Sequence, residues 1–399
     1  MRRFAAKALA VLAAAALTGC TMASETSVPP GSGPDGLMAW PDLTGRPRPA
    51  ADDTIRYGAD SMQVVDLWLP PGRGPHPVVL MVHGGCWQTG IADRRLMDWA
   101  AADLRGRGIA VWNIDYRGVD RDGGGYPGTF ADVAAAADAL GRHAVARGLD
   151  WNRVVAVGHS AGGHLALWLA ARAAWWRGGI EVRAELPGAD PEEVERLRTE
   201  PIERVLRSLS GVSDVQSVAS RGLSVTLARF ESPARLERAR ARAGQWRGRL
   251  DFTVEIRLGR LPLPEGSPVT NRHPSALAAV ISLGGLPDLE EAARPPGSGC
   301  GTEVVGQLIG RATSARPDVF ADTSVPRMGP LGIPQVLING EEDRIIPAFY
   351  AEDYRRKMSD LGDEVQVRMV DRTGHVELIS PGSAAWAVAV EEIERALRR

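Results

Sequence analysis

Only three cysteines and seven histidines occur in 399 residues, and the formal charge is only −2. The near-neutral balance leaves no electrostatic footprint for nucleic acid. The histidines and cysteines are scattered without metal-ligand spacing, so neither a metal site nor any other cofactor is expected. The one strongly apolar run near the start, Ala8 to Ala16, is too short to span a membrane.

What the chain does contain is a catalytic pattern. Gly158-His159-Ser160-Ala161-Gly162 follows the apolar run Val154 to Val157 and precedes a helix-forming run, Leu165 to Ala174. A strand, a sharp turn and a helix are the context of a nucleophile elbow. Glycines two before and two after the serine let strand and helix come close, holding the serine in a strained position with its Oγ free. Ser160 is therefore the expected nucleophile.

Such a serine needs donors for an oxyanion, a base for its proton and an acid to orient that base. The donors are expected at His83-Gly84-Gly85-Cys86-Trp87, just after the apolar strand Val78 to Val82. Gly84 and Gly85 free backbone N–H groups to point into a pocket, and Ala161 supplies the amide beside the nucleophile. Acid and base should follow the serine in that order. Gln335 to Gly340 reads as a strand ending in a turn, with Glu341, Glu342 and Asp343 beyond it. Asp343, directly ahead of Arg344-Ile345-Ile346-Pro347, is the preferred acid; Asp371, Asp288 and Glu342 are the alternatives. Val365 to Val370 alternates as a further strand, and His375 follows it on a loop, where an imidazole can reach a serine.

With these motifs in place the chain resembles the α/β-hydrolase superfamily, and within it the bacterial esterase and kynurenine-formamidase-like branch with HGGxW and GHSAGG. The likeness extends through Asn113 to Arg117, Leu283 to Asp288 and Asn339 to Pro347, and ends at Gly374-His375. The resemblance implies a mostly parallel, doubly wound sheet with nucleophile Ser160, acid Asp343 and base His375. It implies oxyanion donors among Gly84, Gly85 and Ala161, and makes His83 a structural residue of the oxyanion loop. Trp87, Trp112 and Tyr126 are read equally well as site lining or as core.

Arg2, Arg3 and Lys7, the apolar run after them and the small residues before Cys20 form a secretory signal over residues 1–19. This start also resembles a bacterial lipobox, implying cleavage before Cys20, a lipid on its thiol and attachment to the cell envelope. Thr21 in the next position favours the outer membrane, facing the periplasm. Residues 20–50, rich in Pro, Gly and Ser, read as a flexible tether. An oxidising compartment permits a Cys86–Cys300 disulfide, and two free thiols are equally compatible with the sequence.

The hydrolase pattern over residues 51–176 and 262–399 is interrupted at 177–261 by more chain than a structureless connection allows. Ile180 to Leu186 alternates as a strand, and Pro191 to Leu209 is a helix with Val194, Leu197, Ile202, Val205, Leu206 and Leu209 on one face and a kink at Pro201. Val212 to Val218 and Leu223 to Phe230 are paired strands, Pro233 to Trp246 a second helix and Phe252 to Leu258 a last strand. The order βαββαβ is a ferredoxin-like α+β unit. Leu186 to Glu195, Glu200 to Glu203 and Gly222 to Val225 resemble a porter subdomain of resistance-nodulation-division efflux transporters; a passive or lid-like insert is expected ahead of one that docks on a protein partner. Arg235, Arg238, Arg240, Arg242, Arg247 and Arg249 make the second helix basic, either a solvated face or a contact for an anionic partner.

The function expected is that of a serine hydrolase cleaving small esters or amides through an acyl-enzyme, without a cofactor. Carboxylesterase stands ahead of arylformamidase and peptidase. From a different class, a non-catalytic lipid-anchored binding protein would act through the insert.

Overall fold

The computed structural model describes residues 31–177, 179–230, 233–258, 277–314 and 316–398. The signal, Cys20 and the second insert boundary lie outside them. Eight strands form the main sheet: β1 (Asp53–Arg56), β2 (Val64–Trp68), β3 (His76–Val82), β4 (Ala110–Ile114), β5 (Leu149–His159) and, past the insert, β10 (Leu277–Leu283), β11 (Gln335–Gly340) and β12 (Val365–Val370). Their order is β1-β2-β4-β3-β5-β10-β11-β12. β1 and β2 pair antiparallel at one edge, β2 joins β4 antiparallel, and every other pairing is parallel.

The sequence dictates this burial directly. Val78 to Val82 is an unbroken apolar run because a parallel central strand is covered on both faces. Successive side chains leave a strand on opposite sides, so Val78, Leu80 and Val82 enter one core while Val79 and Met81 enter the other. Helices α3 (Gly128–His143) and α4 (Ala161–Arg177) cover the first face with Phe130, Val133, Leu165 and Trp168. The second face is covered by Met97 and Leu104 of the Arg94–Gly106 region and by Trp386, Ile393 and Leu397 of the helix Ala384–Leu397.

The insert has its own sheet, made by β6 (Gly179–Glu185), β7 (Val212–Ser220), β8 (Leu223–Phe230) and β9 (Glu255–Leu258). All pairings are antiparallel, in the order β7-β8-β6-β9. Ile180, Val182, Ile202, Leu206, Ala228 and Phe230 belong to a third core separate from the other two. The first insert helix differs from the expected single span to Leu209. It runs Pro191–Val194, loosens to a π turn over Glu195–Thr199 and resumes at Glu200–Arg207. Pro201 has no N–H to give to the turn before it, which accounts for the loosened register.

A larger correction concerns the tether. Residues 31–50 are not a free connector: a short helix, Trp40–Thr44, lies within them, and Leu43 is wholly buried in the second core. Met38 and Trp40 pack against the same core. These few apolar residues outweigh the Pro and Gly content around them, because burying each large side chain is worth about 1.5–3 kcal/mol.

Candidate active site

Ser160 caps β5 at the sharp turn into α4, with φ at +55°. That left-handed backbone is costly for a residue with a Cβ and is held by its surroundings. Ser160 N–H donates to the Leu283 carbonyl on β10 at 2.8 Å. The flanking glycines leave no alternative. A Cβ on Gly158 would lie 2.0 Å from the Gly162 carbonyl oxygen, and one on Gly162 would lie 2.2 Å from that of Val82.

Asp343 and His375 are delivered by the turns after β11 and β12. His375 Nδ1 lies 2.6 Å from Asp343 Oδ2, and both residues are buried. The other carboxylate oxygen accepts the N–H groups of Ile345 and Ile346, each at 2.9 Å. Asp343 is thus fixed by its own turn. With Nδ1–H donated to the carboxylate, Nε2 is left as the acceptor that a general base requires. Ser160 and His375 line one cavity of about 250 Å³ together with Gly85, Cys86, Trp40 and Ile345.

The alternative acids are engaged elsewhere. Asp288 caps the helix Leu289–Ala292 and pairs with Lys357 at 2.7 Å. Glu342 accepts the Thr373 N–H, and Asp371 is solvent-exposed.

The glycines after β3 lie against the serine. A Cβ on Gly84 would fall 2.9 Å from Ser160 Cβ, so the bare backbone passes where a side chain could not. His83 is buried and engaged at both ring nitrogens, with Nδ1–H donating to the Gly84 carbonyl at 2.7 Å and Nε2 3.1 Å from Asp115. It stacks on Tyr116, whose hydroxyl donates to the His83 carbonyl. A trans peptide sends its C=O and N–H in opposite directions. Tying the Gly84 carbonyl to His83 therefore fixes where the Gly85 N–H points. Ala161 opens α4, and a first-turn N–H has no partner within its helix. Cys86 is joined to Cys300 in a disulfide, with Cα atoms 5.3 Å apart. This ties the loop after β3 to the segment ahead of the helix Thr302–Ile309.

Of the three side chains left open between lining and packing, two belong to the core and the third, Tyr126, packs partly buried against it. Trp87 and Trp112 are fully buried, and Tyr126 donates to Asp322 beneath the Arg316 guanidinium. Sequence reasoning missed two others. His159, the variable residue of the elbow, donates Nε2–H to the His375 carbonyl at 3.1 Å, with ring centroids 4.5 Å apart. Burial, and then the neighbouring His375, hold His159 well below the ordinary histidine range, so it stays neutral. Trp40 comes from the presumed tether, with its ring edge-on to both histidines at 6.2 Å. The position of His159 inside the motif was a usable signal; Trp40 had none.

Among the described residues no group of three His, Cys, Asp or Glu side chains could hold a metal ion, and no helix is long and apolar enough to cross a membrane.

The layered sheet, the order of its strands and the turns that carry Ser160, Asp343 and His375 define an α/β-hydrolase fold with a small α+β insert. Residues 65–179 match the family model BD-FAE, and residues 177–245 match that of the AcrB/AcrD/AcrF family. No curated protein matches the chain. Among solved structures, a truncated carbohydrate esterase from gut microbiota is similar at 16% identity and TM-score 0.53, covering 88% of this chain and 100% of that one. An esterase from the planctomycete Thermogutta terrifontis is similar at 16% identity and TM-score 0.50, over 90% and 93% of the two chains. Esterase B from Lactobacillus rhamnosis, inhibited by a C6-C4 SN3 compound, is similar at 16% identity and TM-score 0.53, over 88% of each. At such identity the likeness is one of fold.

Proposed function

We propose that this protein is a serine hydrolase that cleaves small carboxylic esters through an acyl-enzyme. One observation carries the reading: a buried Asp343–His375 pair opens onto the same small cavity as a strained serine on a nucleophile elbow. Ser160 Oγ attacks the ester carbonyl while His375 Nε2 takes its proton. The N–H groups of Gly85 and Ala161, with Gly84 beside them, hold the developing oxyanion, and His375 then protonates the departing alcohol. Water repeats the sequence to free the acid. Each oxyanion donor is worth about two to three orders of magnitude in rate.

Carboxylesterase is preferred over arylformamidase and peptidase because the largely apolar cavity is lined by no Asp, Glu, Lys or Arg that could recognise an amino acid. Hydrolysis of p-nitrophenyl esters, set beside N-formyl arylamines and peptide anilides, ranks the three. Esters should lead, and Ser160→Ala should remove all three activities.

We further propose export and lipid attachment at Cys20. The Cys86–Cys300 disulfide supports an oxidising compartment. Incorporation of labelled palmitate that is lost in Cys20→Ala tests the anchor. For the insert, whose residues 177–245 resemble the AcrB/AcrD/AcrF family, a passive or lid-like role is preferred to docking on a protein partner. Within the insert, Arg235, Arg247 and Arg249 are bonded to Ser210, the Val254 carbonyl and Ser208, which favours a structural over an anion-binding use of these three.

A further inference from the structure

We propose that residues 31–49 are a fixed wall of the active-site cavity, and that Trp40 and Thr44 set the length of the ester chain accepted. This rests on the esterase reading above and deepens it.

The segment is anchored on both sides of Trp40. Before it, the buried Glu377 carboxylate takes the Met38 N–H on one oxygen at 2.5 Å and the Gly374 N–H on the other at 3.1 Å. The same side chain therefore holds the segment and the backbone next to His375. After Trp40, Leu43 is fully buried, Arg46 donates to the Asp42 and Pro381 carbonyls, and Arg48 pairs with Asp98 at 3.0 Å. Trp40 thus enters the site in register with the histidine loop. Its edge-on contact at 6.2 Å with both His159 and His375 places it where a bound ester would lie.

The cavity, about 250 Å³, is smaller than the roughly 300–1,000 Å³ of sites for drug-sized ligands. Trp40 is the largest side chain lining it, and apart from the two histidines no lining side chain is acidic or basic. Thr44, one helical turn on, lines it as well, with its hydroxyl bonded back to the Trp40 carbonyl at 3.0 Å. The occupant these walls fit is a short, uncharged ester chain. Ile91, 61% exposed, also lines the cavity, so an apolar mouth is available to a longer chain once Trp40 is removed.

The test is a chain-length series of p-nitrophenyl esters, acetate to octanoate, on the full protein, with fluorophosphonate labelling run in parallel. In Trp40→Ala the ratio of kcat/KM for hexanoate to that for acetate should rise by about tenfold or more, the discrimination a methylene or two commands in an apolar pocket. Acetate kcat/KM should fall in the same variant, mainly through KM. Thr44 is exposed, so Thr44→Leu fills the cavity without threatening the fold, and should lower the same ratio by about tenfold. If Trp40→Ala fails to fold, Trp40→Phe replaces it and should give a smaller rise. Unchanged profiles in folded, labelled Trp40→Phe and Thr44→Leu overturn the proposal. An inert, unlabelled wild type overturns the hydrolase reading with it, whereas an active wild type whose variants keep its profile overturns this inference alone.

Discussion

The two sheets of this chain use backbone hydrogen bonding for different ends. In the hydrolase sheet the central strands run parallel, so the turns after β5, β11 and β12 open on one edge and bring Ser160 and His375 to one cavity, with Asp343 bonded behind the histidine. In the insert every neighbour is antiparallel, so β6 and β7 end at one edge while β8 and β9 end at the other, and the buried polar pair Thr199–Ser224 joins helix and sheet. Parallel order gathers distant residues at one edge, whereas the antiparallel insert divides its strand ends between two edges and mainly closes a core. The proposed chemistry therefore belongs to the first sheet, while the insert contributes its own small core.

The comparison breaks most visibly at Asp343. Asp343→Asn should lower kcat by about four orders of magnitude, through the wrong histidine tautomer, with melting little changed. A loss of less than tenfold in ester hydrolysis would move the orienting role to another residue.

Removing the link between oxyanion loop and distal segment is the next largest effect. Cys86 and Cys300 close a loop with a sequence separation of 214, so the paired change Cys86→Ser with Cys300→Ser should cost roughly 2–5 kcal/mol in denaturant unfolding. Activity should fall with it because Gly85 adjoins Cys86. Unaltered stability would mean that the hydrolase core does not depend on this brace.

Acid should weaken the hydrolase core selectively. Burial lowers His164 to about 4 and His159 well below its ordinary value. The unfolded chain binds protons at these sites near pH 6.5, while the native state stays neutral. Stability contributed by the neutral histidines is therefore present above pH 6.5 and lost as pH falls toward 4, by roughly 3 kcal/mol for His164. His164→Asn should flatten that part of the stability-versus-pH curve, measured by urea titration; an identical slope would reject the assignment.

The smallest catalytic effect is expected from the insert. Leu206 is fully buried in its core, and Leu206→Asp should unfold it locally. Ester kcat/KM should stay within about twofold. A collapse of activity would show that the insert shapes the catalytic cavity.

The α/β-hydrolase half was legible because its signals are local. Apolar runs such as Val78 to Val82 and Val154 to Val157 mark buried strands, and the glycines beside Ser160 and in the HGG stretch mark the turns that follow them. The four insert strands were legible from alternation. Trp40 was not, because Leu37, Met38, Trp40 and Leu43 form no full helical repeat and acquire a role only when Glu377, far along the chain, meets the Met38 amide. The part played by His159 depends on the His375 carbonyl, again a tertiary partner. The π turn before Pro201 was visible only as a kink.

The most direct test of the central claim is to treat the folded protein with a fluorophosphonate and locate the adduct by peptide mass mapping. The account predicts one stoichiometric adduct on Ser160, absent from Ser160→Ala and slowed by a competing short-chain ester. An adduct elsewhere that persists in Ser160→Ala, or none on the folded protein, would contradict it.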